Sequence, residues 1–156
     1  MTPARLSDEQ IADLATAFRD LSWDWTAGAV GDLADRLGWS VYMATDTSVW
    51  LDDGLGPASA SVDLGDGGRA VMVSAGTSAF IDKESAEQRA WLQDEFARVV
   101  TIGTERLGPP THRRPGERAQ VSWEGPETTV AVWRTRVRVN LFVAPNDYLA
   151  HWAEEA

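Results

Sequence analysis

ASASVDLGDGGRAVMVSA, residues 58–75, consists of two short strand-like runs on either side of a glycine-rich segment. The runs cover 58–64 and 69–75, and the glycines and aspartate at 65–68 tolerate the conformations of a tight turn. A connection this short cannot form a parallel crossover, so the two strands must pair antiparallel. The stretch therefore predicts a β-hairpin and, with it, an antiparallel sheet.

The hairpin belongs to a longer series of elements. Upstream, the alternation at 39–44 and the apolar run at 49–51 predict two more strands of the same meander. Downstream, an apolar stripe with helical spacing predicts the longest helix, from Asp82 or Ser85 to about Leu107. Gly103 lies in that stripe, where it would allow a backbone to approach closely.

The remaining elements lie toward the two ends. Two N-terminal helices are predicted, the first with a capping box of Ser7 and Gln10 and the second ended by Gly38. After a polar loop at 108–117, strands are predicted at 119–123, 128–133 and 136–143, followed by a short helix containing Tyr148 and Trp152. The order ααββββαβββα predicts the α+β class, with residues 1–156 as a single two-layer domain whose antiparallel meander sheet is packed by helices.

Composition and charge exclude several classes of function. The chain has 156 residues, no cysteine and a net charge of −10, all of it in residues 1–100. Disulfides and zinc–thiolate sites are therefore excluded, and binding of nucleic acid or an anionic membrane is not expected. The negative field would steer a basic partner, or alternatively only keep the domain soluble. Without a signal peptide or an apolar span, a cytoplasmic location is expected.

Motifs for catalysis and metal binding are missing. The two histidines, His112 and His151, lack metal-ligand spacing, and no serine lies in a nucleophile-elbow motif. We therefore predict no catalytic residue, no metal and no cofactor. A pair of carboxylates in a sugar-binding cleft would leave no sequence motif, so a small hydrolase with an unrecognised site stays open as an alternative.

Two tryptophan-containing acidic segments are the candidate partner-binding residues. They are Trp23, Asp24 and Trp25 between the first two helices, and Trp50, Asp52 and Asp53 at a strand end. Tryptophan is favoured in interface hot spots, and neighbouring carboxylates can pair with Lys or Arg of a partner. Alternatively, Trp23 or Trp25 fills the top of the core where the chain turns, and the aspartates form turns.

An arginine stripe is the opposite feature. Arg134, Arg136 and Arg138 alternate, so on a strand they would share one face and leave Val137 and Val139 for the core. Such a stripe could bind an anion or the acidic half of a second copy. A solvated, protected sheet edge is the alternative.

Five segments of the chain form a recognisable combination: Trp23-x-Trp25, Arg36-Leu37-Gly38-Trp39, Arg113-Arg114-Pro115-Gly116-Glu117, Val121-Ser122-Trp123 and the run at 139–145. Together these segments resemble a family of small actinobacterial proteins of uncharacterised function. Members of this kind look like immunity proteins of polymorphic toxin systems, and the fold implied is similar to that of secretion chaperones. The resemblance implies no catalytic residues.

The function expected from these features is non-enzymatic binding of a basic protein. An immunity protein would occlude a toxin through an acidic, tryptophan-containing surface, acting as a monomer or a homodimer. A secretion chaperone or adaptor holding a client segment is the first alternative, and it would need an extended apolar groove. A small hydrolase is the second, and it would need a deep pocket with a perturbed carboxylate.

Overall fold

The computed structural model describes the backbone of residues 2–155 and the side chains of residues 2–151. Four α-helices and eight strands form the framework of these residues. The Trp152 side chain, predicted to lie in the last helix, is thus outside the described residues. The helices are α1 (Asp8–Arg19), α2 (Val30–Leu37), α3 (Ala86–Leu107) and α4 (Asn146–Glu155). The strands are β1 (Ser40–Ala44), β2 (Ser48–Asp52), β3 (Ala60–Leu64), β4 (Ala70–Gly76), β5 (His112–Arg114), β6 (Gln120–Glu124), β7 (Thr128–Arg134) and β8 (Val139–Pro145).

One antiparallel sheet contains all eight strands in the order β1-β2-β3-β4-β8-β7-β6-β5. The strands on either side of α3 form two meanders, and β4 joins them by pairing with β8, with Val73 opposite Val143. The predicted hairpin at 58–75 is the β3–β4 pair, joined by a turn in which Gly67 and Gly68 have positive φ. The predicted α+β class with an antiparallel meander sheet is confirmed.

Helices α1 and α3 pack on one face of the sheet over the main core. Ser7 and Gln10 form the predicted capping box, and Ile11 and Phe18 of α1 are fully buried. Helix α4 lies on the other face, where Tyr148 and Leu149 pack near Phe142 in a smaller cluster. Because both faces are covered there, β8 is buried at every residue from 139 to 144.

Two sequence predictions about strands are wrong. The loop predicted at 108–117 contains β5, which adds an eighth strand by pairing with β6. The last strand begins at Val139 rather than at Arg136, because Thr135 forms a turn. Its Oγ1 atom accepts hydrogen bonds from the amides of Val137 and Arg138, at 3.2 and 3.1 Å.

A buried carboxylate fastens α3 to the start of the chain. Glu95 is 1% exposed, and Arg98 donates to its two oxygens at 2.8 and 3.0 Å. Thr77 donates a further hydrogen bond to it, and Arg98 also reaches Asp8 and the Leu6 carbonyl oxygen. The network orients α3 against α1 and against the segment that follows β4.

The contact between α3 and β6 depends on Gly103. A Cβ atom built on Gly103 would lie 2.8 Å from Cη2 of Trp123, closer than real Cβ contacts. The indole cannot simply turn away, because its Nε1 donates to the Gly108 carbonyl oxygen at 2.8 Å. The sequence predicts a close approach at Gly103, but a tryptophan side chain makes it rather than a backbone.

Candidate functional site

Trp23 and Trp25 lie in the segment between α1 and α2 and contact each other. Their ring centroids are 5.1 Å apart with the planes inclined at 44°, and both rings are half-buried against the main core. Trp25 has a positive φ of 56°, and its carbonyl oxygen accepts from the Ala70 amide at 2.9 Å. Both rings therefore fill the end of the core, whereas the alternative drawn from the sequence placed Trp23 or Trp25 there, and each ring keeps a partly exposed surface.

The two rings line a cleft of about 490 Å³, here called the Trp cleft. Its opposite wall comes from the β6–β7 hairpin, which contributes Trp123, Glu124 and Glu127. A second, open cavity of about 600 Å³ shares Trp25 and Glu127 with it and adds Asp24 and Arg69. The two cavities therefore lie side by side at the same end of the sheet.

The hairpin wall is set by local backbone geometry. The Gly125 amide donates to the Thr128 carbonyl oxygen at 2.8 Å, and a Cβ on Gly125 would lie only 2.9 Å from that oxygen. Asn146 also braces the turn, since its Nδ2 donates to the Gly125 carbonyl oxygen at 2.9 Å. The tight turn places Glu124 and Glu127 at the rim, where both side chains are exposed.

Negative charge predominates around the Trp cleft. Arg19 is held by its neighbour Asp20, and the hydrogen bond from Arg19 lowers the pKa of that carboxyl. Among the described residues, Glu124 and Glu127 have no Arg or Lys within ion-pair distance, and His112 lies 3.9 Å from Glu124. The rim can therefore attract a cation toward the indole rings, where a cation–π contact contributes about 0.5–2 kcal/mol.

One polar atom of the cleft residues has no partner. Nε1 of Trp23 is buried and makes no hydrogen bond within the described part of the chain. An unmet buried donor costs about 1–3 kcal/mol, so the Trp23 indole is held in its site by packing rather than by a hydrogen bond. The exposed parts of the rings and the rim carboxylates together suit a peptide segment that bears a cationic side chain.

The second predicted segment lies at the opposite end of the sheet. Trp50 is half-buried in β2, opposite Met43 of β1. Oδ1 of Asp52 accepts from the amides of Gly54 and Gly56 at 2.8 and 3.0 Å. Asp52 is therefore a turn-forming residue, and the structure does not bring this segment together with Trp23, Asp24 and Trp25.

Asp53 is the most perturbed carboxyl of the described chain. Its Oδ1 accepts from the Leu55 amide at 3.2 Å, whereas its Oδ2 is buried without a partner. Burial raises the pKa of Asp53 to about 6, against the smaller lowering effect of its hydrogen bonds and of the charge on Arg138. Burial of the carboxyl therefore outweighs the guanidinium that acts on it.

The arginine stripe predicted at Arg134, Arg136 and Arg138 is not a stripe. Arg134 ends β7, whereas Arg136 and Arg138 lie in the following turn. Arg136 pairs with Glu117 at 3.0 Å, but Arg138 is half-buried, with its guanidinium 4.5 Å from the Phe80 ring centre. Arg134 and Arg136 instead line a cavity of about 650 Å³ with Lys83 and Arg89. Binding of an anion or of a second copy there stays a prediction.

Neither a metal cluster nor a membrane-spanning helix is present in the described part of the chain. No group of three or more His, Cys, Asp or Glu side chains among residues 2–151 is arranged to hold a metal ion. None of the helices in the described residues has the length and apolarity needed to cross a membrane.

Comparisons with known proteins establish a family and a fold. The model of DUF6301, a family of unknown function, matches residues 9–145, so the chain belongs to that family. The comparison with curated proteins found no match to this chain. A solved structure, the DUF4309 family protein YjgB from Bacillus subtilis subsp. subtilis str. 168, matches with a TM-score of 0.50 and 10% identity over 90% of this chain and 98% of that one. At such low identity the similarity concerns the fold alone.

Proposed function

We propose that this member of the DUF6301 family is a non-enzymatic binding domain that holds a basic protein through the Trp cleft. The observation that carries the proposal is the combination of Trp23, Trp25 and Trp123 in one cleft whose exposed rim bears Glu124 and Glu127. Aromatic anchors surrounded by charged groups are typical of interface hot spots, where a few residues supply most of the affinity.

Charge distribution supports a basic partner. Residues 1–100 carry seven basic and seventeen acidic side chains, and the Trp cleft adds two carboxylates from residues 101–156, which are neutral overall. A field of this sign accelerates association with a cationic protein and weakens as salt screens it, with a Debye length of about 8 Å at physiological ionic strength. An immunity protein that blocks a basic toxin is the biological role we propose for such a domain.

A bait experiment tests the proposal with matched charge changes. The tagged wild type is compared with a cleft variant carrying Asp24→Asn, Glu124→Gln and Glu127→Gln. A control variant carries Glu87→Gln, Asp94→Asn and Glu105→Gln, which neutralise three exposed carboxylates of α3. Both variants have the same net charge, so only the position of the lost charges differs.

We expect the wild type and the control variant each to capture one basic protein in stoichiometric amount, and this protein should elute as the salt concentration rises. The purified pair should then show about tenfold weaker binding for the cleft variant, equivalent to about 1.4 kcal/mol. Co-expression that rescues cells from the partner's toxicity would establish the immunity role. Equal affinity and equal salt dependence of the two variants would refute the Trp cleft as the binding site.

A further inference from the structure

The edge strand β1 exposes more apolar surface than the rest of the sheet. All five of its residues are exposed, and Val41, Tyr42 and Met43 are 51%, 58% and 49% exposed. Strand β1 pairs only with β2, so its other edge presents unpaired backbone N–H and C=O groups. The sequence predicts a strand here but not that both of its faces are open.

The two edges of the sheet differ in their protection. At the far edge, β5 has three residues, and two of them are Arg113 and Arg114. Short length and positive charge are common protection against strand addition. Strand β1 has no charged side chain, and its one irregularity is a bulge at Tyr42, between the pairs made by Val41 and Met43.

The charge around β1 selects a partner. Residues 40–64, which form β1, β2, β3 and the turns between them, include four aspartates and no lysine or arginine. Arg138 reaches this part of the sheet at the Ser59 carbonyl oxygen, so the charge of the three strands with it is about −3. Asp46 lies in the β1–β2 turn, and Asp52 is opposite Ser40 at the other end of β1. A second copy would bring the same negatively charged strands against this edge, which like-charge repulsion disfavours.

We propose that β1 is a docking edge for an extended, basic segment of a partner protein, which adds to the sheet as a ninth strand. The backbone groups of β1 would supply the hydrogen bonds, and alternate side chains of the segment would supply specificity. Side chains on one face of the segment would lie beside Val41, which is paired with Leu51 of β2. Side chains on its other face would lie beside Met43, which is paired with Trp50. Lysine or arginine at its ends would meet Asp46 and Asp52.

The inference rests on the proposed function in taking the partner to be basic, but it uses a different surface. Trp50 and Asp52, predicted as partner-binding residues, flank this edge rather than the Trp cleft. An immunity protein that engages its target at both surfaces would gain avidity without new contacts at either one.

The test uses the full chain and a capped, fluorescent heptapeptide of alternating lysine and valine. One comparison peptide replaces lysine with glutamate, and another is N-methylated at its three central residues, which removes hydrogen-bond donors from both edges while keeping the charge. Anisotropy measures affinity, and NMR hydrogen exchange measures protection of the amides at 40–44 and 112–114. Met43→Lys is compared with Ala97→Lys, an equal charge change on exposed α3.

We expect the basic peptide to protect amides at 40–44 and leave those at 112–114 unchanged. N-methylation or Met43→Lys should weaken binding about tenfold or more, whereas Ala97→Lys should change it less than twofold. Absence of binding, binding insensitive to N-methylation, or changes confined to the Trp cleft would overturn the inference. Protection at 40–44 that rises with protein concentration without peptide would overturn it in favour of a second copy.

The two proposals can fail separately. In the cleft variant with Asp24, Glu124 and Glu127 neutralised, peptide protection at 40–44 should persist, because these residues lie at another part of the sheet. Loss of protection in that variant would overturn the docking edge as an independent surface. The bait experiment with the same variant tests the Trp cleft alone.

Discussion

Replacing Gly103 by alanine should destabilise the protein, although alanine is the better helix former. The added Cβ atom would lie 2.8 Å from Cη2 and 3.2 Å from Cζ2 of Trp123, whose Nε1 is held by Gly108. Overpacking of this kind costs about 1–3 kcal/mol. The higher helix propensity of alanine returns about 1 kcal/mol, so Gly103→Ala should lower the free energy of unfolding by about 1 kcal/mol.

Gly31→Ala is the matched control. Gly31 lies in α2, and a Cβ atom there would contact nothing within 4 Å. The same substitution should therefore raise the free energy of unfolding by about 0.5–1 kcal/mol through helix propensity alone. Urea denaturation of the two variants and the wild type, with tryptophan fluorescence as one probe, measures both changes. If Gly103→Ala is as stabilising as Gly31→Ala, the reasoning about Trp123 is refuted.

Three further predictions follow from buried or perturbed carboxyls and from the cleft. Glu95→Gln should lower the free energy of unfolding by about 2 kcal/mol, because Arg98 and Thr77 lose the charge of their buried acceptor while Arg98 keeps its contacts with Asp8 and Leu6. Glu105→Gln on the exposed side of α3 should change it by less than about 0.5 kcal/mol, and equal chemical-denaturation midpoints of the two variants would contradict the prediction. The pKa of Asp53 is raised to about 6, so the folded state binds more protons than the unfolded state between about pH 4 and 6. The free energy of unfolding should therefore fall by about 1–2 kcal/mol as pH rises through that window, after discounting for partial exposure. Asp53→Asn should reduce this dependence of stability on pH. A smaller dependence should remain from Asp63, because burial also raises the pKa of that carboxyl. Trp23→Phe removes the unpartnered, buried Nε1 donor, so the variant should be as stable as the wild type or more stable in chemical denaturation; a clear loss of stability would show that packing of the larger indole outweighs the unmet donor.

Local signals predicted the elements they control. The side chains of Ser7 and Gln10 hydrogen-bond backbone groups within the same turn, and Gly38 ends α2 with a positive φ of 73°. Such features depend on neighbours in sequence, so the chain order alone reveals them. The positions of the hairpin at 58–75 and of α3 followed for the same reason.

Non-local pairing explains what the sequence could not predict. Strand β5 has no apolar alternation of its own and is a strand because β6 pairs with it. The alternating arginines indicated a strand, but the Thr135 hydroxyl bonds two amides and makes a turn there instead. Trp23 and Trp25 were recognised as candidates, whereas Trp123 and Glu127 joined them only through the fold.

The pairing of β4 with β8 also determines how late the sheet can be completed while the chain is being synthesised. The first meander and α3 leave the ribosome before the strand that will cover the β4 edge, since Val73 pairs with Val143 near the end of the chain. Until then the nascent chain exposes an apolar edge at β4, and closing so long a loop is slow compared with forming a local hairpin. Truncations ending before Val139 should therefore be captured by chaperones or aggregate, whereas chains that include β8 should fold cooperatively.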